Sequence, residues 1–314
     1  MGTKTKFILL IVSVTVLSVL FMTISSGGHW EYVLPRRGRS LLAMILTGSA
    51  IAYATVIFQT ITNNKILTPS IIGLDSLYML IQTFMIFTFG SMSVFMTSAS
   101  VNFALSAGIM VAFSFVFYRL LFRGEGNKLY FLLLIGLVLG TFFSSLTTFM
   151  QVMIDPNEFQ AIQGQMFASF TNINRDLLGL STVLFLVLLL PIRKEMKTLD
   201  VLLLGKDHAV NLGVSYHRVV KRLLILVAVL ISLATALVGP ITFLGLLVAN
   251  VTYQMFQTFE HRILLPASLL VGVLSLVLGQ LIVQHVFTFN TTLSVIINFI
   301  GGVYFLYLLL KERT

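Results

Sequence analysis

The side chains that could do chemistry are few, and their spacing suits no familiar reaction. The five histidines, His29, His208, His217, His261 and His285, are scattered along the chain, and no His-Glu-x-x-His pair occurs. There is no cysteine, which excludes disulfides, thiolate metal sites and thiol redox chemistry. No Gly-x-x-x-x-Gly-Lys-Ser/Thr loop is present to cradle phosphates. The expectation is a chain with no catalytic residue, no bound cofactor and no metal site; any nucleotide energy must enter through another subunit. One acid stands apart. Asp75 lies at the predicted cytoplasmic start of an apolar run. A charge in hydrocarbon is costly and usually functional, so Asp75 could couple an ion. It could equally be a helix-start acid after Gly73, favoured by the helix dipole.

Three other polar groupings could bind rather than react. The longest is Pro191 to Arg222, which contains Leu204-Gly205-Lys206-Asp207-His208-Ala209-Val210-Asn211-Leu212-Gly213-Val214 between basic flanks. Gly205 and Gly213 suit tight reversals at the ends of a short helix. Ala209 and Leu212, three apart, would share a face able to pack on a partner. The same helix could instead lie on lipid headgroups. The second grouping is Arg36, Arg37 and Arg39. These could pair with carboxylates of another protein or snorkel to lipid phosphate. The third comprises Gln59, Asn63, Gln163, Gln165, Asn172 and Gln280, which could line a polar route or act as packing glue.

The elements that must position these residues are membrane helices. Of 314 residues 57% are hydrophobic and only 10% charged, and mean hydropathy is +1.00. Soluble domains carry about 25% charged residues. Long apolar runs without period-two alternation indicate helices, not a barrel. Ten spans are predicted, at about 6–25, 40–62, 71–90, 96–119, 129–152, 176–191, 219–238, 242–257, 263–284 and 293–310. Together they form one all-α polytopic domain over 1–314, with a cytoplasmic loop at about 192–218. The first run follows Lys4 and Lys6 as a signal peptide would, but it is long and lacks a small-x-small site, so it reads as a retained helix. With both termini cytoplasmic, the twenty Lys and Arg residues divide so that only Arg36, Arg37, Arg39 and Arg175 fall outside. This bias accounts for the net charge of +9 without nucleic acid as a partner. A short amphipathic helix is expected outside, at Phe159–Ser169. Small residues in span two (Gly48, Ala50, Ala52, Ala54) and span nine (Ala267, Gly272, Ser275, Gly279) predict close helix contact.

Four blocks in order carry a family resemblance: Leu34-Pro35-Arg36; Leu67-Thr68-Pro69-Ser70-Ile71-Ile72-Gly73; Leu204-Gly205 through Leu212-Gly213-Val214; and Gly239-Pro240-Ile241-Thr242-Phe243-Leu244-Gly245, followed by the closing Gly301-Gly302-Val303-Tyr304. The set resembles the FecCD-type permeases of ABC importers for iron–siderophore complexes and vitamin B12. Gln59 through Ser76 is similar to the catecholate-siderophore subgroup, that of petrobactin or vibriobactin. The pattern departs at Asn64-Lys65-Ile66, Leu77-Tyr78, Ala249-Asn250 and Gln284.

The resemblance implies a ten-helix permease in a bacterial cytoplasmic membrane. It implies a dimer with a second copy or a sister permease, two cytoplasmic ABC ATPase subunits that use the ATP, and an extracytoplasmic siderophore-binding protein. Gly205, Lys206, Asp207, Ala209, Leu212 and Gly213 would couple to the ATPase. Arg36 matches the docking arginine for the binding protein, with Arg37 and Arg39 beside it. The transported ligand would be an Fe(III)–siderophore. Cobalamin or haem is the alternative cargo, and an ion-coupled secondary carrier using Asp75 the alternative of another class.

Overall fold

The structure is a computed structural model describing residues 2–24, 30–121, 129–171, 173–288 and 291–312. Asn172, His29, Arg123, Lys128 and Arg313 therefore lie outside the described residues. Among those described there are thirteen α-helices, one 3-10 turn and no strand. In chain order the helices are α1 (Thr3–Thr23), α2 (Trp30–Thr62), α3 (Leu74–Phe89), α4 (Val94–Thr97), α5 (Ala99–Leu121), α6 (Leu129–Met153) and α7 (Pro156–Gln165). Then follow α8 (Arg175–Leu202), α9 (Lys206–Asn211), α10 (Tyr216–Val238), α11 (Leu244–Phe256), α12 (His261–His285) and α13 (Leu293–Glu312). The 3-10 turn, Pro69–Ile72, precedes α3.

Seven helices, α1, α2, α5, α6, α8, α10 and α12, are long and apolar enough to cross a membrane; α3, α11 and α13 are shorter apolar helices. Each of these overlaps one of the ten predicted runs. α2 is the axis of the bundle and packs on α10, α12, α11 and α8. Its apolar window is 83% buried, against 11% for α1, so α2 is a core helix and α1 a peripheral one. The α2–α12 contact is backbone-close, as the small residues predict. A Cβ on Gly272 would stand 2.8 Å from the Gly48 carbonyl oxygen, and one on Gly48 3.1 Å from the Gly272 carbonyl carbon.

Two helices outrun their predicted ends. α2 begins at Trp30, not near residue 40, and takes in Pro35. Arg36, Arg37 and Arg39 thus stand on a helix, not in a loop. α8 continues through Pro191 to Leu202. At 1.5 Å per residue its 28 residues span about 42 Å, more than the roughly 30 Å of hydrocarbon. Most of the polar stretch 192–218 is accordingly helix that projects past the apolar zone, and only 203–215 joins α8 to α10. Glu195 on this extension pairs with Arg222 on α10 at 3.2 Å.

Two helices start deep. Gly73, in the left-handed conformation at φ 83°, ends the 3-10 turn, and a Cβ there would meet the Gly140 Cα at 2.8 Å. Gly136 and Gly140 lie in the middle of α6. α3 therefore begins at mid-depth, and its 16 residues cover only about 24 Å. Asp75, expected at a membrane surface, is carried into the interior. The segment Gly239–Phe243 makes the matching break before α11, whose 13 residues end beside Asn63 and Lys65, while α3 ends near Glu158 of α7.

Candidate functional site

The bundle has two unlike ends. One gathers the start of α2, segment 166–175 and the end of α12. Ser40 Oγ donates to the Phe170 carbonyl at 2.6 Å, which ties the first two together. A cavity of about 590 Å3 opens here, lined by Glu31, Tyr32, Arg36, Arg39, Ser40 and Asn174. A second, of about 370 Å3, adds Arg37, Gln280 and Gln284. Arg36 and Arg39 are exposed. Arg37 differs from both. Its Nη1 donates to the Phe21 carbonyl at 2.8 Å and its guanidinium lies 5.9 Å from the Phe21 ring centroid. Arg37 thus closes the end of α1, whose last carbonyls lack helical partners, and is not a free docking group as its neighbours suggested.

The predicted outer amphipathic helix is present, starting three residues and ending four residues earlier than expected, at Pro156–Gln165. Asp155 caps it, Oδ1 accepting from Asn157 N at 2.9 Å, with Pro156 in the first turn. Beyond Gln165 the backbone is claimed elsewhere: Ala168 N donates to Ser294 Oγ at 3.2 Å and Ser169 N to the Val238 carbonyl at 2.8 Å. Gln163 is exposed, and Gln165 Oε1 accepts from the Tyr78 hydroxyl at 3.4 Å.

The opposite end holds α9. Gly205 (φ 93°) and Gly213 (φ 84°) both take backbone angles that favour glycine, so the expected reversals are present. The outward face differs from expectation. Ala209 is fully buried against its own chain, while Leu204, Val210 and Leu212 are 56%, 49% and 63% exposed. Three bulky apolar side chains on a six-residue helix and its flanks, with Lys206 and Asp207 among them, make a projecting knob. An exposed apolar group of this kind marks a contact surface.

Beside the knob is a chain of hydrogen bonds that sequence spacing did not reveal. Asp200 Oδ1, near the end of α8, accepts from the His261 backbone N at 2.8 Å and lies 2.7 Å from His261 Nδ1. His261 Nε2 is 2.7 Å from Thr60 Oγ1 on α2. The order Asp–His–Thr is that of a hydrolytic triad, but Thr60 is buried and 2.9 Å from the Val56 carbonyl. Its hydroxyl is locked inside the bundle, away from any substrate. The three residues act as a strap joining α8, α12 and α2 just ahead of the knob. Gln59 and Asn63 stand at this same end and line a cavity of about 360 Å3 with Lys65, Tyr253 and His261. Gln59 Nε2 donates to the Lys65 carbonyl at 2.7 Å, as does Asn250 Nδ2 at 3.0 Å. The polar residues proposed for a route thus fall into two groups, Gln59 with Asn63 and Gln163 with Gln165, at opposite ends of the bundle.

Among the described residues no group of three or more His, Cys, Asp or Glu side chains could hold a metal.

Known proteins match this architecture. Over 98% of its length the chain is 54% identical to the petrobactin import system permease protein YclO of Bacillus subtilis, covering 97% of that protein. It is 37% identical to the petrobactin import system permease protein FatC of Bacillus anthracis, over 90% of this chain and 79% of that one. Among solved structures, a metal-chelate type ABC transporter in an inward-facing conformation superposes with a TM-score of 0.85 at 23% identity, over 99% of this chain and all of the other. That likeness speaks to the fold. The model of the FecCD transport family matches residues 6–311, which span every helix described here except its terminal turns, and the chain belongs to that family.

Proposed function

We propose that this chain is the permease subunit of an ABC importer that carries a ferric siderophore of the petrobactin type across the cytoplasmic membrane of a bacterium. The observation that carries the reading is the 54% identity, over nearly the whole of both chains, to a permease named for petrobactin import. The geometry supports it at both ends. The arginine end, with its wide cavities, faces outward and receives a binding protein through Arg36 and Arg39. The α9 end faces the cytoplasm, and Leu204, Val210 and Leu212 seat in an ABC ATPase. The ten apolar helices all cross or enter the bilayer, with both termini cytoplasmic; the basic residues of α9, the α8 extension and the start of α10 then lie inside, as the positive-inside bias requires.

A working importer needs a second permease, a copy or a sister chain, to complete the route between them. Two ATPase subunits bind and hydrolyse the ATP. The permease itself needs no resident cofactor, and iron is cargo. The test is uptake of radiolabelled ferric petrobactin by cells in which this permease and its partner subunits form the sole iron-chelate importer. ATP-dependent accumulation is expected. Uptake of cobalamin but not the chelate, or uptake that follows the proton gradient and ignores ATP depletion, would replace this reading with one of its rivals.

A further inference from the structure

Asp75 stands in the first turn of α3 just after Gly73, the helix-start position its sequence suggested and one the helix dipole favours, but docking, coupling and packing give it no further role. It sits at mid-depth, where the breaks before α3 and α11 meet. Ser70 and Thr242 are its side-chain hydrogen-bond neighbours, yet Oδ2 is buried with no partner of good geometry. A chamber of about 10 Å3 beside it is lined by Thr55, Thr68 and Thr235, and Thr55, 1% exposed, also has an unpartnered hydroxyl. That space holds at most one water. On its other side Asp75 borders a cavity of about 270 Å3 with Ser76, Ser144, Thr147, Thr148 and Gln151. This wall is rich in hydroxyls, and the one charged side chain on it is Asp75.

An intramembrane carboxylate without a cationic partner is functional by default. The cavity is too wide to close around a bare metal ion, whose oxygen ligands must converge to about 2.0–2.6 Å. It fits a group on a chain. An ammonium donates to the carboxylate in a charge-assisted hydrogen bond, and its remaining hydrogens find hydroxyl oxygens. Gln151, whose Nε2 is also buried and unpartnered, lines the same cavity. We propose that Asp75 and the adjoining hydroxyl-lined cavity form a station on the translocation route that receives a protonated amine of the chelate being carried. The proposal rests on the ferric-siderophore reading.

The test uses two ferric bis-catecholate chelates of equal length. One has an amine in its linker, and the other has a methylene in its place. Uptake is measured in cells carrying the complete importer. Wild type is expected to favour the amine chelate about tenfold, equivalent to about 1.4 kcal/mol of discrimination. Asp75→Asn should remove that preference, bringing the ratio of amine-chelate to methylene-chelate uptake to about one; Asp75→Glu should retain it. Equal uptake of the two chelates by wild type overturns the proposal without needing any variant. A preference that survives in Asp75→Asn overturns it too, as does an equal fall for both chelates. If wild type imports neither chelate nor ferric petrobactin, it is the siderophore reading that fails.

Discussion

The arginine end and the α9 end of this protein are built on opposite plans. At the arginine end, exposed charges surround open cavities, and Arg37, bonded to several backbone carbonyls, serves α1 and not a visitor. At the α9 end, bulky apolar side chains project from a helix whose base is fastened by Asp200, His261 and Thr60. Charge at a rim steers and orients an encounter that must be brief. A bonded base with an apolar knob suits a contact that must transmit displacement. The two ends lie about forty ångströms apart along α8, one charged and open, the other apolar and bonded.

The sharpest way to break this contrast is to remove the knob. Replacing 206–211 with a short Gly/Ser turn should abolish co-purification of the ATPase while the protein still inserts in the membrane; normal stoichiometry would refute the coupling role. Loosening the base comes next. Asp200→Ala leaves the buried His261 ring and its backbone N–H without their acceptor, an effect of about 1–3 kcal/mol, read as lower thermal stability of the purified complex. Transport per ATP should fall with it, and Thr60→Val should follow in the same direction with a smaller effect. At the other end, Arg36→Glu should weaken binding-protein affinity several-fold at low salt and little at high salt. Equal affinity at every salt concentration would sink the docking role. Arg37→Ala sharpens the comparison from the opposite side: it should destabilise the α1–α2 junction by about 1–2 kcal/mol while changing docking least of the three arginines.

Much of this was legible in the sequence. The apolar runs sit where the helices do, because hydrocarbon demands backbone pairing within each segment. Gly48 and Gly272 announced a close crossing, and Gly205 and Gly213 announced two reversals. What failed was depth and direction. Span two was expected to start near residue 40 and span six to end at 191, yet α2 and α8 run through Pro35 and Pro191, which neighbouring helices tolerate. Ala209 was read as facing outward from its spacing alone, and spacing does not say which face of a six-residue helix its own chain will cover. Asp75 was placed at the surface because hydropathy cannot distinguish a span that starts at the membrane face from one that starts halfway in. The strap was invisible for another reason: Thr60, Asp200 and His261 come from three helices far apart in sequence, and no local pattern brings them together.

The α8 rod carries a mechanical consequence. Asp200 lies two residues before its end at Leu202, and Arg175 stands 25 residues before that aspartate, about 38 Å along the helix. It is not a free lever, because α2, α10, α12 and α5 pack along it and Glu195 pairs with Arg222. A displacement applied at α9 would therefore travel down α8 as the sliding of a packed helix, shared with the neighbours it touches, toward Asn174 and the cavity it lines.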